Sequence, residues 1–377
     1  MIYLTTEEKI ILLLSRLHPP AEVIENVKDL IEDKGRSLDY SILTKLASGN
    51  QVGPLLYSNL KELNLIPDDV MNRLKNSYLH TIKNNMQNAH EMMRILTLFK
   101  QRDVEVMPLK GALASEMIFG NPGLYPSLDI DILVKPSNLS KADNIVTEAG
   151  YSKSAGMKEE DLLSSHYHFL YSKGRHHLEL HWNLVKRYFT IPPDFWWEDV
   201  RKIEYEGMEI TTLSIERYIM YTIFRLFDHG FRPLKFFVLI SEMINKYREE
   251  IDWDRLFSFS EKYKIHRVIL FTLKLLNELL GAKIPEGVKK EKMYGYDRLK
   301  KIAVSGIFHE VTRQHLRMFI YTFLLDTPHD FARILIRRFF PGKGEIRLRY
   351  GLPANSKKVY AYYVLNPLLV LLKKRSL

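Results

Sequence analysis

Cysteine and a long apolar run are missing from this sequence of 377 residues, and its first residues do not have the pattern expected of a secretory signal. Without cysteine there is no disulfide scaffold, no thiolate zinc site and no cysteine nucleophile. No apolar run approaches the ~20 residues that a transmembrane helix needs. The start, MIYLTTEEKIILLLSRL, places acidic residues before a short apolar run, whereas a secretory signal begins with basic residues. These absences predict a cytoplasmic protein without a transmembrane segment.

Two common catalytic motifs are absent as well. The sequence contains neither a G-x-S-x-G nucleophile elbow nor a G-x-x-x-x-G-K-[ST] phosphate loop. An α/β-hydrolase of the usual kind and a P-loop NTPase are therefore excluded.

The charge is concentrated at one end of the chain. Lys and Arg number 55 against 45 Asp and Glu, which gives a formal net charge of +10. Residues 301–377 contain 14 basic and 4 acidic residues, so this segment alone accounts for +10, and residues 1–300 are neutral with 41 of each sign. Such a basic region attracts polyanions, which include nucleic acid, anionic lipid and phosphorylated substrates.

Hydrophobic patterning predicts an α+β fold. It consists of a small mixed sheet core, preceded by N-terminal helices and followed by a mostly helical C-terminal domain. The core shows the order strand, helix, strand, helix, hairpin. The predicted parts are an N-terminal helical segment at 1–103, the core at 104–212, a helical domain at 213–340 and a basic, aromatic tail at 341–377.

Asp129 and Asp131 are the sharpest chemical feature. They alternate with apolar residues in LDIDILV, which predicts a strand with both carboxylates on one face. Two carboxylates at one point repel each other unless a cation lies between them, and hard divalent cations such as Mg²⁺ bind through oxygen. The alternative is a half-exposed strand whose outer face happens to be acidic.

A third carboxylate and a glycine turn strengthen the functional interpretation. Glu179 and His181 share one face of the predicted strand HLELHW, so Glu179 could complete a two-metal site of the kind used in phosphoryl transfer. His181 would support the carboxylates as a hydrogen-bond donor. Lys110, Gly111 and Ala112 mark a strand-to-helix turn, where a backbone without Cβ and a helix N-terminus can approach phosphate.

At this point the sequence resembles a known family. LKGALASEMIFGNPGLYPSLDIDILVK, followed by LELHW, is similar to the uncharacterised nucleotidyltransferases of the DNA polymerase β-like superfold, and the likeness extends over about residues 85–285. Relatives generally carry an arginine just before the Asp-x-Asp strand, and here Tyr125 stands near that position. Well-studied enzymes of the superfold also have Gly-Ser or Gly-Gly closer to the first Asp.

The resemblance implies a reaction and the residues for it. The expected activity is transfer of a nucleoside monophosphate from an NTP to a hydroxyl, with release of pyrophosphate. Asp129, Asp131 and Glu179 would hold two Mg²⁺ ions, with Mn²⁺ as the alternative ion. Lys110 and the turn at Gly111 and Ala112 would contact the phosphates. The acceptor stays open among a small molecule, a sugar, a protein side chain and an RNA end.

Two alternatives come from the residues themselves. The first is a catalytically degenerate adaptor that binds RNA, anionic membrane or a protein partner through the basic C-terminal region. The second is a zinc hydrolase that combines Glu179 with histidines, although no zinc-ligand spacing is present. The histidines in question are His166, His168, His176, His177 and His181.

The basic tail has three interpretations. It could form a surface for RNA, it could dock on anionic lipid with LLVLLKKR at the interface, or it could be an ordinary solvated basic face. Pro353 and Pro367 are expected to interrupt it. The cations concerned are Arg333, Arg337, Arg338, Lys343, Arg347, Arg349, Lys357 and Lys358.

Overall fold

The structure is a computed structural model of the chain. It describes residues 4–34, 38–154, 163, 166–186, 189–309, 322–353 and 355–372. The last three residues of LLVLLKKR, at 373–375, lie outside these ranges. Within the described residues, no helix is long and apolar enough to cross a bilayer.

The N-terminal part is helical, as predicted. Thr5 caps the first helix in a reciprocal capping box with Glu8, which satisfies backbone N–H groups at the helix start. The long helix expected near residues 70–100 runs from Asp68 to Gln101. The five helices are α1 (Thr6–Leu14), α2 (Ala21–Lys34), α3 (Tyr40–Gly49), α4 (Gly53–Leu60) and α5 (Asp68–Gln101).

A small mixed sheet follows, which confirms the predicted fold class. The strand order is β1-β2-β5-β4-β3, and β2 pairs with β5 in parallel while the other neighbours are antiparallel. The expected hairpin is β4–β5, joined by the two residues Gly174 and Arg175. A separate two-stranded ribbon, β6–β7, comes next. The strands are β1 (Val106–Pro108), β2 (Asp129–Val134), β3 (Ser152–Lys153), β4 (His168–Lys173), β5 (His176–His181), β6 (Arg201–Tyr205) and β7 (Met208–Thr212).

Two helices lie between the first three strands. They are α6 (Ala112–Phe119), after β1, and α7 (Leu139–Glu148), after β2. Gly150 follows α7 with a φ of 90°, a conformation that glycine adopts without a Cβ penalty.

The C-terminal half is helical, including much of the basic tail. Pro367 does not interrupt the tail as expected, because it lies inside the last helix. The helices are α8 (Ile215–Asp228), α9 (Leu234–Lys246), α10 (Trp253–Lys262), α11 (His266–Leu280), α12 (Glu286–Lys290), α13 (Tyr296–Phe308), α14 (Pro328–Phe339), α15 (Lys343–Tyr350) and α16 (Lys358–Leu372). Among the described residues, short 3₁₀ turns cover Pro136–Asn138, Pro193–Trp197 and Thr322–Leu324.

Two apolar cores hold these elements together. One core joins the N-terminal helices, the residues around β1 and α6, and the helices after β7. The other lies between the sheet and helices α5 and α7. Residues from the N-terminal helices and from the C-terminal helices contribute to the first core. Helices that precede the sheet in the sequence and helices that follow it therefore both pack against it. The four-part domain division stays a prediction.

Candidate active site

The parallel pairing of β2 with β5 brings the three predicted carboxylates together. In its register Asp131 is the direct partner of Glu179, while Ile130 and Leu178 pair on the opposite, buried face. Asp129, Asp131 and Glu179 each offer an oxygen, and these oxygens lie within 4.8 Å of one another. Asp131 is only 2% exposed, so the acidic side of β2 is not an ordinary solvated strand face.

Lys110 lies against the two aspartates. Its Nζ is 2.9 Å from Oδ2 of Asp131 and 3.4 Å from Oδ2 of Asp129. Burial lowers the pKa of Lys110, but the attraction of Asp131 and Asp129 outweighs burial and leaves the pKa raised. Lys110 therefore stays protonated and neutralises part of the carboxylate charge. Its predicted contact with phosphate stays a prediction.

The backbone before α6 sets the position of Lys110. The N–H of Leu109 donates to the carbonyl of Asp131 at 3.0 Å, and the carbonyl of Leu109 accepts a hydrogen bond of 2.7 Å from the hydroxyl of Tyr218. Tyr218 belongs to α8, so a helix far along the chain supports this turn.

Gly111 is required at the turn for two reasons. Its φ of 78° lies in the region that favours glycine. A Cβ there would also lie 2.8 Å from Oγ of Ser127 and 3.3 Å from the carbonyl of Asp129. The turn therefore lies directly against the start of β2, with Ala112 as the first residue of α6.

His181 lies against two of the carboxylates, and its supporting role stays a prediction. It is fully buried, and its Nε2 is 3.1 Å from Oδ1 of Asp131 and 3.1 Å from Oε2 of Glu179. Burial lowers the pKa of His181, but the hydrogen bonds to Asp131 and Glu179 leave it raised. Burial raises the pKa of Glu179, and the hydrogen bond and charge of His181 reverse this, so that the pKa of Glu179 is lowered. Both groups are stabilised as ions.

Two cations from the helical half were missed in the sequence. Lys235 of α9 donates to the carbonyl of Pro126 at 3.0 Å, and its Nζ lies 5.4 Å from the centre of the Tyr125 ring. Burial, together with the positive charge of Lys110, lowers the pKa of Lys235 to about 8. A lysine from another element therefore lies over the ring of Tyr125.

The second cation is Arg225 of α8. Its Nη1 donates to the hydroxyl of Tyr167 at 3.0 Å. Burial lowers the pKa of Arg225, but neighbouring groups that include Asp131 and Glu179 outweigh it and leave the pKa raised. Arg225 and Lys235 lie in mostly apolar helices that contain other charged residues as well, so the sequence does not indicate what either cation contacts.

The histidine cluster is only partly brought together. His168 and His181 each offer a ring nitrogen within 4.8 Å of an oxygen of Glu179, with ring centres 5.0 Å apart. Burial and the positive charge of His181 lower the pKa of His168 to about 3. His176 instead hydrogen-bonds with Asn88 of α5 at 3.1 Å, and His177 is exposed. A five-histidine centre is therefore not formed.

The chemistry of the three-carboxylate set fits a hard divalent cation. All three ligands are oxygens, which Mg²⁺ and Mn²⁺ prefer, and the sequence contains no cysteine that could add a thiolate. The set of His168, Glu179 and His181 would suit a nitrogen-preferring metal better. That second set shares Glu179 with the first, and binding through Nε2 of His181 would break the hydrogen bond to Asp131.

The sheet, the glycine turn and the carboxylates on adjacent parallel strands together define a nucleotidyltransferase-like α+β protein. The model of the family described as uncharacterised nucleotidyltransferase matches residues 36–281, more than half of the chain. The chain therefore belongs to that family, which confirms the resemblance. No curated protein and no solved structure is significantly similar to the chain.

Proposed function

We propose that the protein transfers a nucleoside monophosphate from an NTP to a hydroxyl acceptor and releases pyrophosphate. The observation that carries this proposal is the meeting of three carboxylates within 4.8 Å, beside a buried lysine at a glycine turn. Family membership supports nucleotidyl transfer in general. The acceptor class stays open.

In this proposal the chain's own residues position the substrates. Asp129, Asp131 and Glu179 hold the metal ions, and His181 keeps the last two oriented and ionised. When bound, Mg²⁺ or Mn²⁺ neutralises phosphate charge and lowers the pKa of the attacking hydroxyl. Positioning and charge neutralisation provide most of the catalysis in phosphoryl transfer.

The bond changes are those of an in-line displacement. The acceptor oxygen attacks the α-phosphorus, the bond between that phosphorus and the α,β-bridging oxygen breaks, and pyrophosphate leaves with the bonding electrons. The hydroxyl proton passes to solvent through a carboxylate of the site. Lys110, Arg225 and Lys235 bring positive charge to the triphosphate, which compensates for the missing arginine before β2.

The charges around the site predict how metal and nucleotide bind. Three carboxylates lie near the cations Lys110, Arg225 and Lys235, and His181, whose pKa is raised, adds positive charge when it is protonated. Mg²⁺ alone should therefore bind weakly, because the carboxylates are already neutralised. The magnesium complex of an NTP should bind better, because it also brings negative charge.

Calorimetry tests the proposal. We would titrate each of the four NTPs, with and without Mg²⁺, into the wild type and into Asp129→Ala/Asp131→Ala. Metal-dependent binding that is lost in this variant is the expected result. Asp68→Ala/Asp69→Ala is the matched control, because these exposed aspartates lie in the first turn of α5. With an acceptor in hand, Asp131→Asn should abolish turnover, and near-wild-type turnover would refute the metal assignment.

The adaptor alternative has one observation in its favour. Lys110 already forms ion pairs with Asp129 and Asp131, an arrangement that needs no metal to be stable. Absence of affinity for every NTP, together with strongly salt-dependent RNA binding, would favour that alternative.

A further inference from the structure

Helix α16 presents apolar side chains to solvent. Val364 is 75% exposed and Leu368 is 59% exposed. Together with Tyr360 they occupy positions i, i+4 and i+8, which lie on one face of a helix. Tyr363 and Leu365 flank this stripe and are exposed as well. Val359 and Asn366 are buried in the same helix, so apolar side chains lie on both its buried side and its exposed side.

Hydrogen bonds on the other side of the helix explain the orientation. Asn366 is fully buried, and its Nδ2 donates to the carbonyl of Phe339 at 2.8 Å. Its Oδ1 accepts hydrogen bonds from Nη1 of Arg349 at 3.0 Å and from the hydroxyl of Tyr350 at 2.7 Å. The polar side chain points inward, and these contacts fix α16 against α14 and α15.

The apolar surface continues onto α14. Ile336 and Phe340 are 60% and 48% exposed, and they are four residues apart. The ring of Phe340 lies 6.1 Å from that of Tyr363, so the two exposed stripes meet. We call the surface formed by Ile336, Phe340, Tyr360, Tyr363, Val364 and Leu368 the apolar face. Contiguous exposed apolar surface of this kind usually marks an interaction site.

Positive charge surrounds the apolar face. Residues 328–372 contain eight Lys and Arg against two Asp and Glu. Both acidic residues are engaged, because Asp330 pairs with Arg333 and Glu345 pairs with Arg349. The Nζ of Lys343 lies 4.5 Å above the ring of Tyr360, at the edge of the face. Other exposed cations nearby are Arg337, Lys357 and Lys358.

We infer that the apolar face docks on an anionic lipid surface, with α16 lying in the plane of the headgroups. Apolar side chains flanked by Lys and Arg match the acyl boundary and the negative headgroups at the same time. RNA would use the cations but would leave the apolar centre in water. A second copy would bring two cationic rims together and repel. The 15 residues of α16 span about 23 Å at ~1.5 Å per residue, which suits a helix that lies in the interface.

The experiment is sedimentation of the full chain with sucrose-loaded vesicles. Vesicles of phosphatidylcholine alone are compared with vesicles that contain about 30% phosphatidylserine, at low salt and at about 0.5 M salt. We expect binding to the anionic vesicles, weakened at high salt. Val364→Glu/Leu368→Glu should reduce the partition coefficient at least tenfold, because both charges would enter the acyl boundary. Ile42→Glu/Leu79→Glu is the matched control, since these residues are also about half exposed.

Several outcomes would overturn the inference. Absence of binding to anionic vesicles, or equal binding by wild type and Val364→Glu/Leu368→Glu, would refute it. Concentration-dependent dimerisation without vesicle binding would assign the apolar face to a second copy, and RNA binding without vesicle binding would assign the cations to nucleic acid. If the apolar double variant unfolds, Lys343→Glu/Lys358→Glu replaces it, and unchanged preference for phosphatidylserine would then contradict the proposal. The result does not depend on nucleotide binding, so the two proposals fail separately.

Discussion

Replacement of Lys110 by methionine tests the electrostatics of the candidate site directly. The variant removes the ammonium group that lies 2.9 Å from Asp131 and 3.4 Å from Asp129, and it keeps most of the side-chain volume. In the absence of divalent cations, less positive charge then offsets the repulsion between the carboxylates. We expect Lys110→Met to be less stable than the wild type in EDTA.

The burial of the three side chains sets the size of the effect. The side chain of Lys110 is 11% exposed, that of Asp131 is fully buried and that of Asp129 is 29% exposed. Removal of one partner from a buried ion pair costs about 3–5 kcal/mol. Because Asp129 is partly exposed, we expect the loss of stability to lie at the lower end, at about 3 kcal/mol. At roughly 2 °C per kcal/mol for a chain of this size, the unfolding temperature should fall by about 6 °C.

Mg²⁺ should reverse part of this loss. A ligand at ten times its dissociation constant stabilises the folded state by about 1.4 kcal/mol. Thermal unfolding of Lys110→Met, followed with increasing Mg²⁺, should therefore recover about half of the loss, and the wild type should respond less. Lys135→Met is the control, because Lys135 pairs with Glu105 at the surface, where such pairs contribute about 1 kcal/mol or less. Equal stability of Lys110→Met and wild type in EDTA would refute the reasoning.

Three further predictions concern neighbouring residues. Gly111→Ala should lower the free energy of unfolding by about 2 kcal/mol. Gly120→Ala should lower it by about 1 kcal/mol, because Gly120 has a similar φ but open space around it. Equal losses would exclude the steric contact at Gly111. Lys235→Met should weaken binding of the magnesium complex of an NTP about tenfold. The unfolding temperature should not fall, because the variant removes a desolvated charge. Unchanged affinity in calorimetry would show that Lys235 does not contact the phosphates. The pKa of His168 is lowered from 6.5 to about 3, so the unfolded chain binds one more proton between these pH values and stability falls as the solution is acidified. His168→Gln should remove about 1.4 kcal/mol per pH unit from this slope, as urea unfolding at several pH values can show, and an unchanged slope would contradict the assignment.

The sequence was sufficient where chemistry follows from alternation along one strand. Asp129, Asp131, Glu179 and His181 alternate with apolar residues along their strands, so their faces were predictable, and the pairing of β2 with β5 brings those faces together. Lys235 could not be found in this way. It comes more than a hundred residues after Asp131, and only the packing of α9 against the loop before β2 places it near the aspartates.

The orientation of α16 was equally hidden from the sequence. Apolar residues lie on nearly every side of this helix, so its sequence does not indicate which side is buried. Asn366 determines the buried side, because three hydrogen-bond partners for its side chain exist only after α14 and α15 have packed. Tertiary contacts therefore decide that the side of α16 with Asn366 is buried and that the side with several apolar groups is exposed.

The hydrogen bond from the Tyr218 hydroxyl to the carbonyl of Leu109 has a practical consequence for dissection of the chain. A fragment that ends at residue 212 keeps strands β1 to β7 and all three carboxylates, yet it loses the donor that caps the turn before Lys110. It also exposes Leu109 and Met107, which pack in the same core as the later helices. Minimal expression fragments should therefore extend at least through α9. Substitutions in α8 are expected to affect the candidate active site in the same way as substitutions of the site residues themselves.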